Sequence, residues 1–534
     1  MARRDLLAFV VVCSTALALA AQSDAQAPPA AGLRQTATVK ASNPGMFDHF
    51  GEGGILDGHI GNGVAISADG NTMAVGAQHE SSGTRGINSD QNDESAYNAG
   101  AVYVYARDGA NWTQQAYVKA SNAGAGDHFG SFVVLSADGN TMAVAAYWES
   151  SAATGVNGDQ ADNSIPNAGA AYIFTRSETT WTQQAYIKAS NTGTAAVDGV
   201  QSDGDQYAFA LALSGDGNTL AVGALTEDSS ATGINGDQVD DSAVSAGAVY
   251  VYTRTGGDWS QQAYAKPPPA DGDPINGDLF GYSLGLNDDG DTLVVGVYDE
   301  DGSSREINGP VDGERGGSGA AYVFTRAGNT WSRQAYIKVA NAEGGDSWGV
   351  AVALSADGNT LAIGTADEDC DATGVNPPGC GDEDLGSAGG SMGAAAVFVR
   401  DGTTWMQQAY LKASNTGRED WFGIRLAVSG DGNTLAVAAP NEDSAAQGIN
   451  GRQDDESAIE AGAVYLFTRN GTEWAQQAYV KGSNTQAFDE FGGSVALSGD
   501  GRILLVGARG EDSGAQGTNG DQVDESGAVY VFTR

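Results

Sequence analysis

The amino-acid sequence predicts an all-β protein, a seven-bladed β-propeller of four-stranded antiparallel blades that is closed by an N-terminal strand completing the last blade. Three observations lead to this prediction. One element recurs seven times along the chain, each copy contains four short strand-like segments, and the N-terminus supplies the one segment that the last copy lacks.

The repeat is clearest in the element LSGDGNTLAVGA, in which an Asp-Gly pair marks a tight turn between two apolar runs. Self-similarity at a steady spacing is the signature of a repeat architecture rather than of unrelated domains. Successive copies are 68 to 78 residues apart, with turn aspartates at Asp69, Asp138, Asp216, Asp289, Asp357, Asp431 and Asp500.

Each copy contains four predicted strands, named A to D here. Their patterns are FGxxVALS for strand A, TLAVGA for strand B, GAVYVFTR for strand C and WTQQAYIKAS for strand D. Short runs of Val, Tyr and Phe bounded by glycine favour strands, and no helical period of apolar residues is sustained. Strand C is apolar on both faces, as expected for a blade that is packed between two neighbours.

The N-terminal segment predicts how the ring closes. The sequence ends at Arg534 after strand C of the seventh copy, whereas RQTATVKASN, from Arg34 to Asn43, matches the second half of a strand D that no copy precedes. We therefore expect this segment to be the fourth strand of the last blade. The predicted domains are a signal peptide at 1–27 and a propeller at 28–534, with the closing strand at about 34–43 and blades at about 44–121, 122–191, 192–267, 268–341, 342–415, 416–484 and 485–534.

Antiparallel order gives the propeller two unequal rims. The A-to-B hairpins and C-to-D turns lie on one rim, called the hairpin rim below. The long B-to-C loops and the D-to-A crossovers lie on the other, called the loop rim. Each B-to-C loop is acidic and glycine-rich, so a solvated loop is expected to run directly into each buried strand C.

Charge and the N-terminus predict where the protein works. The 68 acidic residues against 26 basic ones give a net charge of −42, which disfavours nucleic acid and anionic membranes as partners. Arg3 and Arg4 precede an apolar run, typical of a signal peptide, and no later segment approaches the roughly 18 apolar residues of a membrane span. We expect a secreted, periplasmic or cell-surface protein, in which Cys370 and Cys380 form a disulfide.

Two dipeptides carry a resemblance to a known family. Phe-Gly opens strand A, as in Phe129-Gly130, Phe280-Gly281, Phe422-Gly423 and Phe491-Gly492, and Gly-Ala closes strand B, as in Gly76-Ala77, Gly223-Ala224 and Gly507-Ala508. The chain thus resembles FG-GAP repeat proteins, a family that includes the seven-bladed propeller of integrin alpha chains and many bacterial surface or secreted proteins. The resemblance implies a role in adhesion or recognition.

The A-to-B hairpins depart from the calcium-binding pattern DxNxDGxxD that blades of integrin type often carry. Asp216 and Gly217 are present, but Ala212 and Leu220 stand where the first and last oxygen ligands belong. We therefore expect turn chemistry rather than a metal at these hairpins.

All seven lysines of the chain occupy one position, near the end of strand D on the loop rim: Lys40, Lys119, Lys188, Lys266, Lys338, Lys412 and Lys481. The same rim carries a glutamate at the start of each B-to-C loop: Glu80, Glu149, Glu227, Glu300, Glu368, Glu442 and Glu511. We expect lysine–carboxylate pairs of small energy if they are exposed. The alternative is a ring of lysines that binds an anionic ligand.

The B-to-C loops carry NGDQVD or a close variant, which clusters hard oxygen donors. In an exported protein such donors suit Ca²⁺, although the spacing matches no standard calcium loop and blades 4, 5 and 6 depart from it. The alternative is a solvated, hydrogen-bonded loop. The candidate calcium ligands are Asn157, Asp159, Asp162, Asn235, Asp237, Asp240, Asn519, Asp521 and Asp524, with a looser match at Asn88, Asp90 and Asp93.

The sequence predicts no catalytic site and no other cofactor. The four histidines, His49, His59, His79 and His128, form no triad pattern, and we expect a surface role for His49 and His59. The alternative is a transition-metal site, which has no ligand spacing behind it. An enzyme on this scaffold would need a His, Tyr or Arg cluster at the central channel, and no single blade breaks the repeat in that way.

The predicted function is therefore non-enzymatic adhesion or recognition of an extracellular protein or glycan through the loop-rich rim. Two alternatives remain at this stage: a polysaccharide lyase or hydrolase on a propeller scaffold, and a calcium-stiffened structural module of a surface assembly.

Overall fold

A computed structural model describes residues 32–52, 61–193, 204–267, 277–313, 315–380, 390–512 and 525–534. Within these ranges 28 strands form seven antiparallel four-stranded sheets, and no helix is present. The predicted all-β, seven-bladed propeller is confirmed. The predicted signal peptide lies outside the described residues.

Six blades are built from four consecutive strands each. Blade 1 holds β2 (Val64–Ile66), β3 (Thr72–Ala77), β4 (Ala101–Asp108) and β5 (Asn111–Val118); blade 2 holds β6 (Val133–Leu135), β7 (Thr141–Ala146), β8 (Ala170–Ser177) and β9 (Thr180–Ile187); blade 3 holds β10 (Tyr207–Leu213), β11 (Thr219–Ala224), β12 (Ala248–Thr255) and β13 (Asp258–Ala265). Blade 4 holds β14 (Phe280–Leu286), β15 (Thr292–Val297), β16 (Ala320–Ala327) and β17 (Thr330–Ile337); blade 5 holds β18 (Ala351–Leu354), β19 (Thr360–Thr365), β20 (Ala394–Asp401) and β21 (Thr404–Leu411); blade 6 holds β22 (Arg425–Val428), β23 (Thr434–Ala439), β24 (Ala463–Asn470) and β25 (Glu473–Val480).

Blade 7 joins the two ends of the chain. Strands β26 (Phe491–Leu497), β27 (Ile503–Ala508) and β28 (Ala528–Thr533) are followed in the sheet by β1 (Arg34–Val39). Strand β1 pairs antiparallel with β28, from Arg34 opposite Thr533 to Val39 opposite Val529. The predicted closure of the ring by the N-terminal strand is confirmed.

The two motif glycines explain how neighbouring blades fit together. A Cβ atom placed on Gly76, at the end of strand B in blade 1, would lie 2.0 Å from the carbonyl oxygen of Gly130 in blade 2. Gly130 has a φ of 97°, which L side chains rarely adopt. The same close approach recurs between Gly364 and Gly423, at 2.0 Å. Phe-Gly and Gly-Ala are thus the two halves of one blade-to-blade contact.

The hairpin rim is tied together by backbone hydrogen bonds between the A-to-B hairpins of neighbouring blades. Ala68 N donates to Ala137 O, and Ala137 N donates to Gly215 O, each at 2.9 Å. Gly499 N in blade 7 donates to Ala68 O, also at 2.9 Å, across the seam where the ring closes. Each hairpin therefore fixes the position of the next one.

The core lies between the blades, and strand A lines a central channel. Strand B is buried along its whole length in every blade, because it is covered by neighbouring blades on both faces. The channel encloses a cavity of about 310 Å³ lined by residues of all seven blades, with Tyr282 and Arg425 among them. The side chains that follow each Phe-Gly pair are thereby brought towards the axis.

Candidate functional site

Each of the seven lysines pairs with the glutamate at the start of the B-to-C loop of its own blade. The pair in blade 7 joins Lys40 to Glu511. In the other six pairs the Nζ–Oε2 distance is 2.6 to 2.9 Å: Lys119–Glu80, Lys188–Glu149, Lys266–Glu227, Lys338–Glu300, Lys412–Glu368 and Lys481–Glu442. The pairing itself matches the sequence-based expectation.

The pairs are buried, however, and not exposed as the sequence analysis allowed. The Lys188 side chain is 0% exposed and that of Glu149 is 1% exposed. Burial lowers the pKa of Lys188, and the Glu149 carboxylate partly offsets this shift. With both groups enclosed and bonded to each other, these lysines form a structural element rather than a ring that could receive an anionic ligand.

In blades 2, 3 and 6 the glutamate also receives hydrogen bonds from three segments of chain. In blade 2, Tyr186 Oη donates to Glu149 Oε1 at 2.9 Å, and the backbone N of Ser151 donates to Oε2 at 3.1 Å. Asn122 Nδ2, from the crossover that leads out of blade 1, donates to Oε1 at 2.8 Å. Tyr186 and Lys188 reach the same carboxylate because residues two apart on a strand share one face. The ion pair thus joins strand D, the B-to-C loop and the neighbouring crossover.

The candidate calcium residues of the B-to-C loops already have backbone partners. Asn157 Oδ1 accepts from Tyr186 N at 3.0 Å, Asp159 Oδ1 accepts from Ala161 N at 2.9 Å, and Asp162 Oδ2 accepts from Ala152 N at 2.6 Å. Blade 3 repeats the pattern with Asn235, Asp237 and Asp240, and blade 1 with Asn88, Asp90 and Asp93. Asn519, Asp521 and Asp524 lie outside the described residues.

The asparagine has the same role in blades that lack the acidic pattern. Asn308, Asn376 and Asn450 also accept from the backbone N of a strand D tyrosine, at 2.8 to 2.9 Å, and all have positive φ. An Asn at this position is therefore explained by the loop itself. These bonds are those of a hydrogen-bonded loop, and calcium binding stays a prediction.

The hairpin rim does not fit the calcium site that blades of integrin type often hold. Asp216 Oδ1 accepts from Ser214 Oγ at 2.5 Å and from Asn218 N at 2.9 Å, and its Oδ2 accepts from Asn218 Nδ2. The carboxylate is fully used in closing the turn. Ala212 and Leu220, at the positions of the missing ligands, lie on adjacent strands, where Ala212 is opposite Ala221 and Leu220 is opposite Leu213.

A second repeated contact clips neighbouring blades together near the hairpin rim. Arg176 lies over the ring of Trp181, 5.3 Å from its centroid, and both side chains donate to Gln115 Oε1 in strand D of the preceding blade. Equivalent Arg–Trp–Gln clips are Arg254–Trp259–Gln184, Arg326–Trp331–Gln262, Arg400–Trp405–Gln334 and Arg469–Trp474–Gln408. Thr36 takes the glutamine position in the closing strand.

Cys370 and Cys380 form the predicted disulfide in the B-to-C loop of blade 5, with their Cα atoms 5.5 Å apart. The backbone N of Cys370 donates to Glu368 Oε2, so the disulfide lies directly beside the buried ion pair of that blade.

An aspartate precedes each strand A opening and is buried in the crossover. Asp127 Oδ2 accepts from Gly124 N at 2.7 Å, and Asp420 Oδ2 accepts from Gly417 N at 2.9 Å. Burial is the main cause that raises the pKa of Asp127 to about 7 and that of Asp420 to about 8, and the carboxylate of Glu442 adds to the shift at Asp420. These carboxyl groups hold the crossovers rather than face solvent.

The structure brings together histidines that the sequence analysis left apart. His49 is buried, at 5% exposed, which corrects the expected surface role. Its Nδ1 lies 2.9 Å from Nδ1 of His79, and both nitrogens lie near Glu52 Oε2. His59 lies outside the described residues.

Aromatic rings continue from this cluster to the central channel. Ring centroids lie 5.0 Å apart for His79 and His128, 4.5 Å for His128 and Trp148, 5.4 Å for Trp148 and Tyr147, 6.4 Å for Tyr147 and Phe209, and 5.3 Å for Phe209 and Tyr282. Of these residues Tyr282 lines the channel cavity together with Arg425, whereas the histidines are not among the residues that line it. The sequence signal that could have pointed to these residues is that the positions beside Phe-Gly and after strand B differ from blade to blade.

Exposed apolar side chains concentrate on the loop rim. Of the large hydrophobic residues that are exposed in the described chain, seven lie in B-to-C loops or D-to-A crossovers: Met46, Phe47, Tyr97, Val239, Val244, Ile459 and Phe488. The eighth, Met406, lies on strand β21. Loop and crossover meet at each seam, since Phe488 N donates to Ile459 O and Gly126 N donates to Tyr97 O.

Two of these residues adopt a backbone conformation that is unfavourable for them. Phe47 and Phe488 have φ values of 63° and 67°, and their side chains are 47% and 58% exposed. The equivalent position is glycine in blades 2, 4 and 5, at Gly126, Gly277 and Gly345, all with positive φ, and Glu419 in blade 6. A left-handed conformation costs a residue with a side chain about 1–2 kcal/mol. Neither burial nor backbone geometry explains phenylalanine here.

Comparison with known proteins gives one family. The sequence profile of the FG-GAP repeat matches residues 112–174, 405–467 and 474–532. Each matched segment runs from strand D of one blade to strand C of the next. No curated protein matches the chain significantly.

Comparison with solved structures finds matches at low sequence identity. The β-propeller domain of Myceliophteria thermophila Cps50 (Swd1) is 8% identical, with a TM-score of 0.45 over 94% of this chain and 99% of that one. The RRP9 WD40 repeats are 9% identical, with a TM-score of 0.45 over 95% and 99%. U3-55K is 8% identical, with a TM-score of 0.46 over 95% and 100%.

Proposed function

We propose that this chain, an FG-GAP repeat protein built as a seven-bladed propeller, is a non-enzymatic adhesion or recognition protein that binds an extracellular protein or glycan through its loop rim. The observation that carries the proposal is the concentration of exposed apolar side chains on that rim. Exposed apolar residues that lie next to one another are typical of interaction surfaces, and a hydrogen bond from Phe488 N to Ile459 O brings two of them together at one seam.

The strained phenylalanines give this proposal its strongest support. Unfavourable backbone conformations persist where the surrounding structure holds them and tend to cluster at functional sites. Phe47 and Phe488 present large aromatic faces to solvent, where other blades have a glycine that would avoid the strain. Aromatic side chains also contribute much of the binding energy at interfaces. A ligand that contacts these rings would explain why exposed phenylalanines are present at positions where they destabilise the free protein.

The scaffold is suited to hold such a surface. The buried ion pairs and the loop asparagines fix each B-to-C loop to strand D, so the loops are presented by a rigid ring. The net charge of −42 favours ligands that are not polyanions.

The proposed location is outside the cytoplasm. The N-terminal segment has the pattern of a signal peptide, and the Cys370–Cys380 disulfide suits an oxidising compartment. Within the described residues, no helix is both long and apolar enough to cross a membrane.

The experiment compares three forms of the protein on an array of glycans and a panel of purified extracellular proteins. The forms are the wild type, the Phe47→Gly/Phe488→Gly variant and the control Met406→Gln, which removes an equally exposed apolar side chain from an outer strand. We expect specific binding that the control retains and the double variant loses by about tenfold or more. Binding that is unchanged in the double variant, or a chemically altered ligand after incubation, would contradict the proposal.

A further inference from the structure

We infer that His49, Glu52 and His79 form a binding site for a transition-metal ion, of which Zn²⁺ is the natural occupant, at the seam where the propeller ring closes. The site is distinct from the proposed recognition surface, because none of its three side chains belongs to the exposed apolar set, although the ring of Phe47 lies 6.3 Å from that of His49. The inference rests on the geometry of three converging atoms, on their surroundings and on their place in the ring.

The three atoms form a triangle of the size that a small cation requires. Nδ1 of His49 and Nδ1 of His79 are 2.9 Å apart, and Glu52 Oε2 lies 3.4 Å from the first and 3.1 Å from the second. Zinc binds such donors at about 2.0–2.2 Å, which places neighbouring corners of a tetrahedron about 3.3 Å apart. These edges therefore need only small adjustments to enclose an ion. Among the described residues this is one of two groups with metal-ligand potential, and the other contains the disulfide cysteines.

Hydrogen bonding alone leaves the cluster incomplete. One proton can join the two imidazole nitrogens, and buried Glu52 Oε2 faces the same two nitrogens at 3.4 and 3.1 Å without a well-aligned hydrogen bond to either of them. A buried carboxylate oxygen without a partner is costly. A cation at the centre of the triangle would satisfy all three atoms at once.

The surroundings are those of a metal site. His49 Nε2 lies 2.9 Å from Glu525 Oε2, and a metal-bound histidine almost always donates its second ring N–H to such a carboxylate. This bond places the proton on Nε2 and leaves the lone pair of Nδ1 directed at the triangle. Arg509 Nη1 lies 3.4 Å from the other oxygen of Glu52, which orients Oε2 inwards.

The donor set selects the class of metal. Two imidazole nitrogens and one carboxylate are characteristic of zinc sites with three protein ligands and one open position. Ca²⁺ and Mg²⁺ prefer oxygen ligands in larger number. The His79 side chain is 17% exposed, which leaves that open position reachable from solvent.

The location gives the ion a structural role. His49 and Glu52 lie in the crossover that follows the closing strand, and His79 follows strand B of blade 1. Glu525 and Arg509 belong to blade 7. At this same seam Thr36 occupies the position of the glutamine that forms the Arg–Trp–Gln clip elsewhere. An ion here would tie the closing crossover to blade 1 where the repeated clip is missing.

The test is a titration of the metal-free protein, purified without a polyhistidine tag, with Zn²⁺ and with Co²⁺. We expect one ion per chain, visible d–d absorption bands with Co²⁺, and a higher melting temperature with Zn²⁺ but not with Ca²⁺ or Mg²⁺. His79→Gln and Glu52→Gln should each weaken binding by about 10–100-fold or more. His128→Gln is the matched control, because its ring touches His79 but lies outside the triangle, and it should bind one ion as before.

The wild-type measurements keep the test decisive if a variant fails to fold. The inference would be overturned if no Zn²⁺ binds at micromolar concentration. It would also be overturned if bound Co²⁺ lacks the visible d–d absorption bands. Zn²⁺ binding that survives both His79→Gln and Glu52→Gln would overturn it as well. Ligand recognition by Phe47 and Phe488 is measured separately, on the glycan array and the protein panel, so the two proposals fail separately.

Discussion

At the scale of single residues, the most consequential feature is that each blade encloses one lysine and one glutamate away from water. Taking two charges out of water is costly, and the pair is maintained only because each carboxylate also receives hydrogen bonds from its surroundings. In blade 2 these come from Tyr186, Ser151 and Asn122. Removing one partner leaves the other buried and uncompensated, so the costs of removing the two partners should not add.

A double-mutant cycle on Lys188 and Glu149 tests this expectation. Lys188→Met and Glu149→Gln should each lower the free energy of unfolding by about 3–5 kcal/mol, because each leaves a buried polar group without its partner. The double variant should be less destabilised than the sum of the two by about 1 kcal/mol or more. The measurement is denaturant unfolding of the four forms.

The control for this cycle is an exposed ion pair of the same protein. Arg452 and Asp454 are 75% and 74% exposed, so Arg452→Ala should leave the free energy of unfolding unchanged. Additive effects of the Lys188 and Glu149 substitutions, or a control as destabilising as either one, would contradict the account.

The buried aspartates of the crossovers predict how stability depends on pH. Burial and the nearby carboxylates of Glu442 and Glu456 raise the pKa of Asp420 to about 8 in the folded protein, against an ordinary value of 3.8. The folded state therefore binds a proton more tightly than the unfolded state. This group contributes stability that is fully present below about pH 4 and is lost as the pH rises through about 8.

Asp420→Asn removes this contribution while keeping an oxygen that accepts from Gly417 N. A one-unit difference in pKa between folded and unfolded states is worth about 1.4 kcal/mol. We therefore expect the variant to gain about 1 kcal/mol or more of stability relative to wild type between pH 5 and pH 8.5. Parallel pH profiles of the two proteins would show that Asp420 is not buried as described.

At the scale of structural elements, closure of the propeller ring depends on the N-terminal strand. Strand β1 supplies the whole fourth strand of blade 7, and Lys40 directly after it pairs with buried Glu511. Deleting residues 33–43 should lower the melting temperature strongly, since the edge of β28 and Glu511 both lose their partners. A synthetic peptide of residues 33–43 should restore part of the loss. A truncated protein that melts like the full chain would contradict ring closure.

These elements could be predicted from the sequence because the seven copies of the repeat can be compared with one another. The seven copies of the Asp-Gly hairpin, the single lysine position and the incomplete last copy each have one simple explanation, a closed ring. The residue pattern within one repeat could not show that the lysine–glutamate pairs are buried. Lys188 and Glu149 are 39 positions apart, and only the packing of neighbouring blades decides whether such a pair is exposed.

The histidine cluster was hidden for a related reason. His49, Glu52 and His79 belong to different segments of the first blade, and their partners Arg509 and Glu525 come from the last blade. His49 and Glu52 are three residues apart, but His79 lies 30 positions from His49, and Arg509 and Glu525 join the cluster only where the ring closes. Positions where one copy differs from the other six were the only trace in the sequence.

At the scale of the whole molecule, the two rims have different roles. The hairpin rim carries backbone hydrogen bonds between neighbouring hairpins and Arg–Trp–Gln clips, which hold neighbouring blades together. The loop rim carries most of the exposed large apolar side chains, two of them in strained backbone conformations. The hairpin rim therefore holds the blades together, and the loop rim offers the surface proposed for recognition.

The central claim is that Phe47 and Phe488 serve recognition rather than folding. The most direct test is to measure the free energy of unfolding and the affinity for a panel-identified ligand on the same Phe47→Gly/Phe488→Gly variant. Relief of left-handed strain, about 1–2 kcal/mol per residue, offsets the roughly 0.5–1 kcal/mol of added chain entropy from each glycine. We predict stability that is unchanged or higher, together with a loss of affinity. A variant that is less stable and still binds would contradict the claim.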